Sequence, residues 1–87
     1  MSWKKLRSLH MPYEKQVLIR ATCLLYHEQP KNVRAKIDRL CREIGGAHEK
    51  ALRECMLTQK SIVKISMEHY IDESVIYELR KKFYESW

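Results

Sequence analysis

Glycine and proline are scarce, with two of each in 87 residues. An all-β chain of this length would need many tight turns built from them, so the scarcity favours helices. Also missing is any run of about 18 uncharged apolar residues, so no segment is expected to span a membrane. The basic opening, MSWKKLRSLHMPYEK, lacks the uninterrupted apolar stretch of a secretory leader. A cytoplasmic chain is the expectation.

Paired metal-binding and catalytic signatures are absent too. Cys23, Cys41 and Cys55 are odd in number and lie among apolar residues at helical spacing, which points to free buried thiols in a reducing compartment. Cys23 and His27 stand one helical turn apart, but no CxxC or HxxxH pair accompanies them, so neither a metal nor a cofactor is expected. There is no glycine-rich phosphate loop, nucleophile elbow or recognisable carboxylate pair. His10, His27, His48 and His69 are scattered, and nothing supplies the other members of a catalytic site. An enzyme is therefore not expected.

What the chain does contain is 45% apolar and 32% charged residues, a globular balance sufficient for one small domain and too little for two. The reading is a single all-α domain over 1–87, a small four- to five-helix fold with residues 1–10 as a tail. Trp3 and Leu6 of that tail could pack back on the body. The net charge of +6 is uneven: residues 30 to 60 hold eight basic and four acidic side chains, and residues 61 to 87 hold four and five.

Pro12 suits the first turn of a helix. After it, Tyr13, Val17, Leu18, Ala21, Leu24 and Leu25 recur at spacings of three and four and predict one apolar face, ending near Gln29. Pro30 stops that helix, and Asn32 is the expected cap of the next. Val33, Ile37, Leu40, Cys41 and Ile44 form its inward stripe, leaving Arg34, Lys36, Asp38, Arg39 and Arg42 on a basic outer face. Gly45 is expected to supply the left-handed residue that ends it. A third helix is predicted from Ala47 to about Thr58, with Ala51, Leu52, Cys55 and Met56 inward.

The last stretch is SIVKISMEHYIDESVIYELRKKFY, residues 61 to 84. Ser61 is a good N-cap for a short helix with Ile62, Ile65 and either Met67 or His69 inward. Asp72 can cap the final helix, and Ile71 and Ile76 have the spacing of a hydrophobic staple. Ile76, Leu79, Phe83 and Trp87 then face inward beside Val75, with Ser74, Tyr77, Glu78, Lys81 and Lys82 outward.

Ser61, the Ile65-Ser66 pair, the Ile71-Asp72-Glu73-Ser74 turn, Ile76-Tyr77 and Arg80 together resemble the helix-turn-helix of sigma-factor region 4 and of the small phage transcription regulators of the ArpU type. The resemblance covers residues 61–86. Two residues depart from that pattern: Tyr70 stands where glycine is common, which would put a bulky residue at positive φ, and His69 stands where an aliphatic is usual.

The resemblance implies a sequence-specific duplex DNA-binding transcription regulator of phage or mobile-element kind, its last helix entering the major groove. Ser74, Tyr77, Arg80 and Lys81 would meet bases or phosphates, and Lys64 the backbone. Arg34, Arg39 and Arg42 could add the phosphate contacts that the acidic C-terminal stretch lacks. RNA polymerase, another protein or a second copy are further partners under this reading, and no membrane. The competing expectation is a small regulator that docks on a host or phage protein, modulating it without touching DNA. RNA binding has only the basic balance behind it.

Overall fold

The computed structural model describes residues 11–87, so the expected tail, with Trp3, Leu6 and the cations Lys4, Lys5 and Arg7, lies outside the described residues. Five α-helices follow one another: α1 (Tyr13–Leu24), α2 (Lys31–Gly45), α3 (Glu49–Leu57), α4 (Ile62–His69) and α5 (Glu73–Ser86). Single 3-10 turns, Tyr26–Glu28 and Gly46–His48, follow α1 and α2. Among the described residues there is no strand, and the fold is all-α.

α3 is the hub, packing against each of the other four helices. Two apolar clusters meet on it. The larger joins Ile19 and Cys23 of α1, Ile37, Leu40 and Cys41 of α2, Leu52 and Met56 of α3, and Leu79, Phe83 and Tyr84 of α5. The smaller joins Ala51 and Cys55 of α3 to Ile65 of α4 and Ile76 of α5, with Ile62 and Ile71 at its edge. The inward sets expected for α2 and α3 are those found, because each of these helices is apolar on one side only.

α1 is rotated from its expected orientation. Gln16, Ile19 and Cys23 face inward, while Leu18 and Leu25 are 64% and 51% exposed. The helix carries apolar residues on both sides, so spacing alone does not choose between them. Arg20 helps fix the choice: its guanidinium donates to the carbonyls of Cys55 and, at 2.7 Å, Thr58, closing the end of α3 from α1. Gln16 is tolerated inside because its Nε2 donates to the Met11 carbonyl at 3.0 Å.

Two caps are also corrected. Asn32 lies exposed within the first turn of α2, and the helix starts instead from Pro30, whose carbonyl accepts the N–H groups of Val33 and Arg34. The left-handed residue that ends α2 is Gly46 (φ 53°), not Gly45, which stays right-handed and buried.

Candidate nucleic-acid interface

The α4–turn–α5 corner is built by short-range hydrogen bonds. Ser61 Oγ accepts the Lys64 N–H at 3.1 Å and starts α4. Tyr70, at φ 55° and ψ 44°, ends it in the left-handed region, and the N–H groups of Tyr70 and Ile71 both reach the Ser66 carbonyl. The Ser66 hydroxyl in turn donates to the Ile71 carbonyl at 2.5 Å, so a small hydroxyl residue at this position closes the turn from both ends. Asp72 Oδ1 then accepts the Ser74 N–H at 2.9 Å and its hydroxyl at 2.7 Å, starting α5. Ile71 and Ile76 pack in the same small cluster, as a staple requires.

The expected contact residues on this corner differ in availability. Lys64 is exposed and Tyr77 is 48% exposed. Ser74 is exposed, though its hydroxyl is committed to Asp72. Arg80 is half-buried, its guanidinium 5.1 Å from the Tyr77 ring centre and its Nε buried without a hydrogen-bond partner. Lys81 is also half-buried, whereas Glu73, Glu78, Lys82 and Glu85 are exposed. The outer side of α5 is thus mixed in sign. Of the two inward candidates on α4, Met67 is 71% exposed, and His69 is the half-buried one.

α2 presents the opposite electrostatics. Lys31, Ala35, Arg39 and Arg42 follow one another at spacings of four, four and three, so they form one stripe, and all are exposed. Arg34 is exposed beside them. None of these four cations enters an ion pair among the described residues. The Asp38 carboxylate, by contrast, is taken up by the Arg53 guanidinium and the Tyr26 hydroxyl, each at 2.8 Å. Partial burial opposes its ionisation, but these hydrogen bonds outweigh that cost and lower its pKa. Lys36 of the same helix sits 4.3 Å over the Trp87 ring, tying α2 to the end of α5.

A second polar group joins α3 to α4. Glu54 accepts from Lys60 Nζ at 3.1 Å and lies 2.7 Å from His69 Nε2, and Lys60 also reaches Glu68 at 2.8 Å. The ligand atoms of Glu54, Glu68 and His69 all fall within 4.8 Å of one another, the only such candidate metal group among the described residues. The Lys60 ammonium already bridges the two carboxylates, so the chain supplies a cation there itself. No sequence spacing signals this group, since Glu54 and His69 are 15 residues apart.

Cys23 and His27, read together for their helical spacing, end up in different surroundings: Cys23 is buried in the core, and His27 is exposed with its ring edge-on to Tyr26. Burial pushes the Cys23 thiol up to about 12 and that of Cys41 to about 11, and raises Cys55 as well.

No helix among the described residues is long and apolar enough to cross a membrane. The class that fold and surface define is a small all-α domain with one unpaired basic face. No protein-family model, curated protein or solved structure matches the chain.

Proposed function

We propose that this chain binds duplex DNA as a small transcription regulator, with the exposed N-terminal part of α5 against base edges and the basic face of α2 supplying phosphate contacts. The observation that carries the reading is the stripe of Lys31, Arg39 and Arg42 with Arg34 beside it, exposed and without ion-pair partners among the described residues. Cations left unpaired on one face of a chain of net charge +6 are what a polyanion requires. The capped corner supports the reading by giving α5 a fixed entry, with Tyr77 and Lys64 accessible on it.

The half-burial of Arg80 bears on how this is tested. Reversing its charge would disturb packing beside Cys55, so the test is placed on α2. Fluorescence anisotropy with a pool of labelled duplexes, titrated at several salt concentrations, should show log affinity falling linearly with log salt, at about −0.9 per phosphate neutralised. Arg39→Glu combined with Arg42→Glu should weaken binding by about tenfold or more and flatten that slope by roughly two contacts. Absence of binding at low salt by a folded protein would reject duplex DNA as the ligand. The alternative, a regulator that docks on another protein through the aromatic C-terminus or the basic face of α2, would then stand.

A further inference from the structure

The polar group between α3 and α4 draws like charges together. The Glu54 and Glu68 carboxylates converge on one point, the Lys60 ammonium, at 3.1 and 2.8 Å. One ammonium against two carboxylates leaves a local negative excess, in a chain whose net charge is +6. The remaining donor is an imidazole. Ile62, Ile65 and His69 follow one another at spacings of three and four on the inward side of α4, so His69 takes a half-buried position that an aliphatic residue would fill by packing alone. Its Nε2 is turned to Glu54, at 2.7 Å.

We infer that Glu54, Glu68 and His69 form a site for a divalent transition-metal ion of the zinc type, which displaces the Lys60 ammonium when it binds. One imidazole and two carboxylates are a donor set that zinc takes, each about 2.0–2.2 Å from the ion, with water completing a tetrahedral shell. Such distances place the donor atoms roughly 3.5 Å apart. The three here already fall within 4.8 Å of one another, and rotation of the glutamate side chains supplies the rest. The imidazole selects against magnesium and calcium, which take oxygen donors. Lys60 can give way, because it lies in the bend between α3 and α4 on a long flexible stem and its side chain, like both carboxylates, is partly exposed. Solvent receives the ammonium, and the ion meets a neutral imidazole at Nε2 with its proton on Nδ1. The bound ion would tie Glu54 of α3 to two residues at the end of α4. The inference stands independently of DNA binding.

The test is titration calorimetry of the full chain with zinc ion at neutral pH, without DNA, on the wild type and four single variants. The wild type should bind one ion saturably, and hydrogen exchange of the α4 amides should slow in the loaded protein. Glu68→Gln and His69→Gln should each weaken binding by about tenfold or more. The Glu68 side chain is exposed enough for its variant to keep the fold, which unchanged circular dichroism checks. Lys60→Met should tighten binding by about tenfold or more, since the competing ammonium is gone. His27→Gln, which removes an exposed imidazole outside the group, should bind like the wild type. A wild type that binds no ion up to about 1 mM overturns the inference. So does binding that Glu68→Gln and His69→Gln leave unchanged, or that Lys60→Met fails to tighten.

Discussion

The two apolar clusters hold the chain by different means. The larger draws on α1, α2, α3 and α5, and the fully buried Phe83 lies within it. Among the described residues the smaller is the whole apolar anchorage of α4, and of its buried residues only Ile65 comes from that helix. What the smaller lacks in volume is made up by polar ties: the Ser61 cap, Ser66 across the turn, the Asp72 cap, and the cluster of Glu54, Lys60, Glu68 and His69. The body should therefore respond to changes of side-chain volume, and the α4–α5 corner to changes of hydrogen bonding and charge.

The largest effect expected is in the body. Phe83→Ala should cost about 3–5 kcal/mol, from lost burial and the cavity left behind. Ile65→Ala should cost less, towards the low end of about 2–5 kcal/mol for such truncations, and its loss should be local. Hydrogen exchange is the measurement that separates the two. Ile65→Ala should speed exchange of the α4 amides while α1 and α2 remain protected, whereas Phe83→Ala should speed exchange throughout. Equal acceleration of every helix by Ile65→Ala would mean that the two clusters melt as one and that the contrast is empty.

Within the corner, Asp72→Ala should lower stability by about 1 kcal/mol through loss of the cap. Tyr70→Gly should act in the opposite direction. Tyr70 is left-handed and its side chain is 96% exposed, so the replacement relieves a cost of about 1–2 kcal/mol while removing almost no contact. The greater freedom of glycine in the unfolded chain returns part of that gain. A net rise of less than about 1 kcal/mol is expected in denaturant unfolding.

How much of this was legible depended on the range over which each signal acts. The Ser61 and Asp72 caps and the Ile71–Ile76 staple lie within five residues of their partners, and the sequence pattern located them. The strained Tyr70 was visible as a bulky residue where glycine is common. The inward faces of α2 and α3 were legible because their other faces are polar. α1 was not, because both of its sides are apolar and Arg20 acts on carbonyls 35 and 38 residues away. The same holds for the candidate interface. The basic stripe of α2 could be read from spacing, but the half-burial of Arg80 depends on α3 beside it, and the Glu54–His69 contact has no local signature at all.

The smallest effect expected is also the one that most directly probes charge in the corner. Hydrogen bonding to His69, opposed by slight burial and reinforced by Lys60, lowers the Glu54 pKa from its ordinary value of 4.5. With that carboxylate ionised, His69 Nε2 is the donor. A carboxylate with a lowered pKa in the folded state contributes stability that is fully present above its unfolded pKa and is lost as pH falls through the folded one. The wild type should therefore lose stability progressively below pH 4.5, the ordinary pKa of such a carboxyl. Glu54→Gln should cost about 0.5–1 kcal/mol at neutral pH, as expected for a partly exposed charge pair. It should also lose less stability than the wild type on acidification, so that the two stability curves converge at low pH. Parallel curves would show that Glu54 gives α4 no charge-dependent hold, and would leave the corner resting on its apolar cluster and caps alone.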